Sequence, residues 1–282
     1  MPTFKQLIHD ATEQCMKIDL PEQTALTYLV ELTQQQRVDL YMNMNLEVPK
    51  DVLEKFNAGL VRILNHEPMQ HVLGYSWFYG YKFNVNSNVL IPRPETEELV
   101  SYILSRVDEM FPNQNITAVD IGTGSGAIAI AVANEEKHIN MYATDISVEA
   151  IEVAKENAKI NEAQVEFLVG DMLQPIIDKG IKVDVLISNP PYIPSKETLE
   201  SSVVDYEPHV ALFGGDDGLK FYRTIFENCK KIVKEKSFMA FEMGWDQRIS
   251  MLNLVHEYLP NAEAEVLQDI NGKDRMLFVY FK

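Results

Sequence analysis

Cysteine is scarce in this chain: two residues in 282, Cys15 and Cys229, stand far apart with no Cys-x-x-Cys pairing. Such usage supports neither a disulfide framework nor a zinc site. Histidine is little more plentiful, at six residues. His66 and His71 are five apart, which is not the i, i+4 spacing of a helical metal pair, so no metal is expected. Long apolar runs are lacking too, and none reaches the ~20 residues that a membrane span needs. The opening Met1-Pro2-Thr3-Phe4-Lys5-Gln6 has no basic stretch leading into an apolar core, the mark of a secretory signal, so a soluble cytoplasmic protein is the expectation. There is no internal repeat and no low-complexity tract.

Positive charge is short as well. Lysine and arginine number 25 against 42 acidic residues, a net charge of −17. Divided at residue 70, the chain has 6 basic and 10 acidic residues before that point and 19 and 32 after it, so both parts are acidic, at −4 and −13. A protein that grips the phosphate backbone needs a basic face, because phosphate neutralisation drives that affinity. Naked nucleic acid is therefore disfavoured as the main partner. What is present is ample apolar content, 46%, in a length that accommodates one large domain or two modest ones.

Residues 3 to about 73 have helical periodicity. Phe4, Leu7, Ile8, Ala11 and Cys15 form one stripe, Ala25, Leu26, Leu29 and Val30 a second, and Val52, Leu53, Phe56, Leu60, Ile63 and Leu64 a third. Pro21 and Pro49 suit the first turns of new helices, and the region reads as a small all-helical bundle. Gly74 to Val85 is rich in aromatics with Gly80 placed for a tight turn, which predicts a β-hairpin linker. From Ile91 onward strand and helix signals alternate. Strands are expected at Ala118–Ile121, Met141–Thr144, Val165–Val169, Val183–Ser188, Phe238–Glu242, Ala264–Leu267 and Met276–Tyr280, with helices at about 95–109, 125–135, 147–160, 217–235 and 246–259. The fold class is α/β, a mostly parallel seven-stranded sheet. Asn271-Gly272 signals a hairpin, so the last strand should run antiparallel. The domain boundaries that follow are 1–73, 74–92 for the hairpin linker, and 93–282.

Two motifs carry the chemistry. Val119-Asp120-Ile121-Gly122-Thr123-Gly124-Ser125-Gly126-Ala127 is a strand entering a glycine-rich turn and then an alanine-rich helix, a setting that lets a ligand approach the backbone and offers free N–H groups. A nucleoside-containing cofactor fits. Gly122-x-Gly124-x-x-Ala127 with Asp145 about twenty residues on also satisfies the relaxed dinucleotide fingerprint. Asp120 directly before the glycines is typical of S-adenosylmethionine sites, and Asp145 could take both ribose hydroxyls in either case or simply cap the helix that begins near Ser147. Asp171 and Met172, after the third strand, could meet an adenine amino group and ring, or be a surface turn and a core residue.

Asn189-Pro190-Pro191-Tyr192 directly follows the apolar run Val183–Ser188. Two prolines lack ladder donors, so the chain must leave the sheet there and present Asn189 and Tyr192 in a stiff loop. A planar amide beside an aromatic ring suits recognition of an amide or a nucleobase edge. No histidine or lysine stands near residue 189 to serve hydride transfer. An amide nitrogen is a poor nucleophile, so its methylation requires both N–H groups to be held. The Asn189 side-chain oxygen and the Pro190 carbonyl can each accept one, with Tyr192 covering the planar group. Positioning of this kind can supply up to ~7–11 kcal/mol of a barrier.

These residues resemble the PrmC/HemK protein-(glutamine-N5) methyltransferases, which modify the glutamine of the Gly-Gly-Gln motif in class I peptide-chain release factors. The likeness spans the helical region, the hairpin, Ile91-Pro92-Arg93-Pro94-Glu95-Thr96-Glu97, the glycine loop, Asn189 to Tyr192, Glu207-Pro208, Ala211 to Gly215, Asp217-Gly218-Leu219, and Asp269 to Arg275. It implies a Rossmann-like methyltransferase domain, a helical domain that holds the protein substrate, and S-adenosyl-L-methionine as cofactor with S-adenosyl-L-homocysteine as product. It further implies that Gly122, Thr123, Gly124, Ser125, Gly126 and Asp145 bind the cofactor and that Met172 falls where some relatives have an aromatic residue near the adenine. Asn189 would meet both cofactor and substrate, Pro190, Pro191 and Tyr192 the substrate glutamine, and Arg93 to Glu97 the pocket border. A release factor is the expected partner, with no membrane and no nucleic acid, and a monomer is the expected state. Adenine N6 methylation of DNA or RNA is the competing reaction, because Asn-Pro-Pro-Tyr is shared with adenine methyltransferases; a noncatalytic adenosylmethionine-binding protein is the alternative outside enzymes.

Overall fold

In the computed structural model, which describes residues 1–198 and 204–282, Thr3 opens the first helix through a capping box. Its hydroxyl accepts from Gln6 N while the Gln6 side chain accepts from Thr3 N, which satisfies two otherwise orphaned groups. Helix α1 (Phe4–Met16) is followed by α2 (Thr24–Thr33), α3 (Arg37–Met42), α4 (Lys50–Leu64) and α5 (Met69–Leu73). Their buried faces carry most of the predicted stripes: Phe4, Leu7, Ala11 and Cys15, then Ala25 and Leu29, then Phe56, Leu60 and Ile63. Gly59 of α4 packs against the Tyr28 side chain of α2. A Cβ built there would stand 1.8 Å from Tyr28 Oη and 2.8 Å from Val72 Cγ1, so any larger residue would force these side chains to move. Pro49 is the N-terminal cap of α4, whereas Pro21 lies three residues before α2.

The chain divides into two compact units, Met1–Gly74 with residues 204–206, and residues 75–198 with Glu207–Lys282. The second begins with a hairpin of β1 (Tyr75–Phe78) and β2 (Tyr81–Asn84). Its turn residues, Tyr79 and Gly80, both have positive φ, 52° and 79°, the geometry that matches strand twist in two-residue hairpins. Phe78 and Phe83 bury themselves edge to face beneath it.

Helix α6 (Pro94–Met110), β3 (Ile116–Ile121), α7 (Ala127–Glu135), β4 (Ile139–Asp145), α8 (Val148–Ile160), β5 (Val165–Val169), α9 (Gln174–Asp178), β6 (Val183–Ser188), α10 (Lys220–Asn228), β7 (Val233–Glu242), α11 (Arg248–Tyr258), β8 (Glu263–Gln268) and β9 (Asp274–Phe281) then build a layered α/β unit. The seven-stranded sheet runs β5-β4-β3-β6-β7-β9-β8. All pairings are parallel except those of β9 with β7 and β8, as the sequence predicts. Side chains alternate between two cores with the period of two that strands impose. Ala118, Val185, Ile187, Phe238 and Phe278 face α6 and α7, while Val119, Leu186, Met239, Phe241 and Leu277 face α10 and α11.

Two elements differ from the sequence reading. The helix expected over 217–235 ends at Asn228, passes through a 3-10 turn at Cys229–Lys231, and gives way to β7 from Val233. Val233 pairs with Val183, and the ladder then slips so that Phe238 pairs with Val185. The alternating lysines between them belong to an irregular strand entry. The short helix α9 has no counterpart among the predicted segments. No helix among the described residues is long and apolar enough to cross a membrane.

The order of the sheet reverses at β3. From β3 the chain moves outward to β4 and β5, then returns to lay β6 on the opposite side. Such a switch point opens a crevice at the carboxyl ends of the strands, where open α/β sheets bind ligands. Both sequence motifs lie there, one after β3 and one after β6.

Candidate active site

The glycine loop is tied back to β4 at three points. Gly122 N and Thr123 N both donate to Thr144 O at 2.9 Å, and Gly124 N donates to Asp145 Oδ2 at 2.9 Å. Gly122, Gly124 and Gly126 all adopt positive φ, 73°, 55° and 82°, which only glycine enters without strain. A Cβ at Gly126 would press on Ile130 and Ala154, at 3.0 and 3.1 Å, so this glycine lets α7 and α8 pack closely. At Gly122 and Gly124 a Cβ would meet no atom within 4 Å. Those two leave open space above the loop, a cradle into which a ligand can come close to the backbone.

The cradle opens into a cavity of about 500 Å³. Gly122, Thr123, Gly124 and Ser125 form one wall, Asp145, Asp171 and Met172 another, and Asn189 with Pro191 a third. Gly126 and Pro190 are behind the wall, and Tyr192 is directed into the apolar core. Arg93 and Thr96 of the proline-started element also reach the cavity, whereas Glu95 and Glu97 do not.

Asp145 both shapes this wall and caps a turn. Its Oδ1 accepts from Ser147 N and its Oδ2 from Gly124 N, while Ser147 itself caps α8 through Ala150 N. Each carboxylate oxygen retains lone-pair capacity beyond these bonds, so the cap and a hydroxyl ligand are compatible. Asp120 lies beneath the loop. Its Oδ2 accepts from Thr123 Oγ1 at 2.7 Å, while its buried Oδ1 has no hydrogen-bond partner among the described residues. Burial, opposed by the Thr123 bond and reinforced by the Asp145 charge, pushes its carboxyl up to about 7. Open space at two glycines, an underused buried carboxylate and an acidic residue at the β4 end suit a bound nucleoside carrying a positively charged group.

The Asn189 to Tyr192 loop is secured by residues far away in sequence. Ile193 forms a parallel bridge with Phe213, Ile193 N donates to Leu212 O, and Gly214 N donates to Ile193 O. Gln247 Nε2 donates to Tyr192 O at 3.1 Å. Gly214 and Gly218 abut the loop so closely that a Cβ would fall 2.4 Å from Pro191 O and 2.1 Å from Tyr192 O. The Tyr192 hydroxyl is 3.4 Å from Glu242 Oε1. Burial first, and then the Glu242 charge, hold that phenol well above its ordinary range.

Several residues that organise this site have no role assigned from sequence, Glu207 among them although Glu207-Pro208 is part of the resemblance. Asn157 on α8 accepts from Asn84 N and donates to Asn84 O and Ser125 O, joining the hairpin to the glycine loop. Glu207 accepts from Ile91 N and from Arg93 Nη2, at 3.1 and 2.5 Å. Glu242 accepts from Thr96 Oγ1 at 2.6 Å. The Arg93 to Glu98 stretch thus works as a row of staples, with Glu97 holding the hairpin turn at Tyr79 N and Glu98 the β8–β9 turn at Ile270 N. An isolated acidic residue at a strand end, such as Glu242 after the apolar Phe238 to Phe241, was the one available signal. No cluster of metal-ligating residues occurs among the described residues.

A seven-stranded sheet with this topology, carrying a glycine cradle after β3 and Asn-Pro-Pro-Tyr after β6, defines a Rossmann-like methyltransferase. Residues 101–205 match the family model described as methyltransferase small domain, and residues 6–74 match the PrmC N-terminal domain. Among solved structures, the methyltransferase from Pyrococcus furiosus has a TM-score of 0.53 at 19% identity, covering 79% of this chain and 96% of its own. The hMettl16 catalytic domain has a TM-score of 0.55 at 14% identity, covering 81% and 82%; both likenesses are of fold. The release factor glutamine methyltransferase of Staphylococcus aureus is 37% identical over 98% of this chain and 99% of its own. That of Bacillus subtilis is 39% identical over 98% and 97%, and that of Bacillus cereus 45% identical over 86% of each. The chain belongs to the release factor glutamine methyltransferase family.

Proposed function

We propose that this protein methylates the side-chain amide nitrogen of the Gly-Gly-Gln glutamine in a class I peptide-chain release factor, using S-adenosyl-L-methionine. The observation that carries the reading is the meeting, in one cavity, of the glycine cradle with an Asn189 whose amide nitrogen is engaged by Thr96 at 3.4 Å. When bound, the cofactor supplies an electrophilic methyl group on a sulfonium. Gly122 to Ser125 would hold it along the backbone, Asp145 through its hydroxyls, and Asp171 and Met172 at the base.

The chain's task toward the glutamine is to orient and desolvate. Asn189 Oδ1 and the Pro190 carbonyl accept its two N–H hydrogens, which aims the nitrogen lone pair away from them and toward the cradle. Tyr192 does not line the cavity; its hydroxyl faces Glu242 and its ring packs on the core, so it backs the loop that presents these two acceptors. No strong base is needed, because the methylated nitrogen is acidic and sheds a proton to solvent. The helical unit, residues 1–73 in the sequence-based division, holds the release factor, and the hairpin at 74–92 links it to the catalytic domain at 93–282. A substrate of translation termination places the reaction in the cytoplasm.

The test incubates the protein with labelled S-adenosyl-L-methionine and either a release factor or nucleic acid, then maps the label by mass spectrometry. Methyl on the Gly-Gly-Gln glutamine is the expected result. Label on adenine, with none on that glutamine, would replace the proposal with adenine methylation.

A further inference from the structure

Glu242 is the last residue of β7 and is almost completely buried. A buried carboxylate is expensive to desolvate, so its partners define what it is for. One oxygen takes the Thr96 hydroxyl at 2.6 Å and the other faces the Tyr192 hydroxyl at 3.4 Å. The main chain beneath is fixed as well, since Tyr222 Oη donates to Glu242 O at 2.7 Å. Thr96 stands in the first turn of α6, where Pro94 begins the helix.

Hydrogen-bond chemistry gives this arrangement a direction. Burial raises the Glu242 carboxyl and the Arg275 charge opposes that rise; in its ionised form the carboxylate only accepts, so the single Thr96 proton goes to Glu242. Oγ1 is left with lone pairs, and whatever faces it from the other side must donate. Asn189 faces it, with Nδ2 at 3.4 Å. The two branches of a carboxamide look alike in shape, and only their hydrogen bonding tells them apart. The run from carboxylate to hydroxyl to amide therefore selects one of the two orientations of Asn189, the one that turns Oδ1 away from Thr96.

We propose that Thr96 and Glu242 are positioning residues that fix the Asn189 carboxamide with its oxygen, rather than its nitrogen, presented to the substrate amide. This rests on the methyl-transfer reading above. With the carboxamide reversed, an N–H group of Asn189 would oppose the N–H group of the glutamine, and the lone pair would lose its aim. Through the Tyr192 hydroxyl the same carboxylate registers the second side chain of the loop, so one buried group aligns both.

The test compares T96V, T96S and E242Q with the wild type in kcat and KM for the release factor, S-adenosyl-L-methionine affinity by calorimetry, melting temperature, and the Asn189 side-chain amide resonance in ¹⁵N-labelled protein. T96V keeps shape and removes the relay. It should lower kcat by about 10–100-fold while KM and cofactor affinity stay within about threefold, and it should shift the Asn189 resonance. T96S restores the hydroxyl and should bring kcat back to within about threefold of wild type with a wild-type-like resonance. E242Q should resemble T96V, because a glutamine can donate to the hydroxyl and let it turn round. A folded T96V with wild-type kcat and an unmoved resonance overturns the proposal, as does a T96S that is as impaired as T96V. If T96V does not fold, E242Q decides by the same readouts; failure of both to fold overturns positioning in favour of a scaffold role. A wild type that leaves the Gly-Gly-Gln glutamine unmodified sinks the functional reading instead, while the resonance still reports on the relay.

Discussion

Asn189 occupies the cavity wall with one N–H directed at Thr96, an orientation that turns its oxygen away from Thr96 and toward a substrate. Truncation to alanine removes a preorganised polar contact, a change that typically costs 10²–10³ in kcat at sites that orient and stabilise a reacting group. N189A should therefore lower kcat by about 100-fold or more with the melting temperature little changed; near-normal turnover would refute its role. Asp120 makes a different demand. Its carboxyl is raised from an ordinary 3.8 to about 7, so between those values the folded protein keeps a proton that the unfolded chain has released. Stability of the cofactor-free protein should then fall as pH rises through that window and level off above it. The buried Glu242 carboxyl, raised chiefly by burial, contributes in the same direction. D120N should melt higher than wild type at pH 8, by several degrees, and flatten the slope below pH 7. A wild-type melting temperature that climbs from pH 5 to pH 7, with D120N following it, would contradict this. Asn189 and the glycines were legible in sequence because each lies within a contiguous motif. Thr96 and Glu242 were not legible as a pair, since 146 positions separate them and only the fold brings them together.

At the scale of elements, the loop after β6 is a stiff piece seated on a second one. Two prolines stiffen it from within, and residues 212–218 clamp it from outside. Gly218 is the tightest point, with φ of 73° and a would-be Cβ 2.1 Å from Tyr192 O. G218A should cost about 1–3 kcal/mol in strain and reduce turnover further by displacing Tyr192, while calorimetric binding of S-adenosyl-L-methionine persists. G122A should do the reverse. Its added methyl meets only open space, so packing survives apart from about 1 kcal/mol of backbone strain at a φ of 73°, while cofactor affinity falls. Equal losses of binding in both variants would show that cradle and loop are not separate pieces. The contrast explains what periodicity can reveal. Strands β3 and β6 were readable because burial on both faces writes continuous apolar runs. The start of β7 was not, because Val233 to Lys236 lies at an irregular edge of the ladder, where mixed charge imitates the exposed side of a helix.

For the whole molecule, net charge is the property that no single contact explains. The chain is at −17, and both the helical and the α/β parts contribute. Charge of one sign spread over a surface steers association more than it strengthens the final complex. A protein substrate with a basic surface would be drawn to this enzyme at low salt, and the attraction would weaken once the screening length falls to ~8 Å near 0.15 M. The chemical step should be far less sensitive, because the groups that align it are buried and short-ranged. With S-adenosyl-L-methionine saturating, raising salt from low to high should therefore increase KM for the release factor several-fold while kcat changes little. A nucleic-acid substrate would predict a different pattern, since an acidic enzyme repels phosphate and added salt would lower the apparent KM by screening that repulsion. The sign of the salt effect on KM thus separates the two substrate classes, and a KM that does not move would mean that the acidic surface plays no part in recognition.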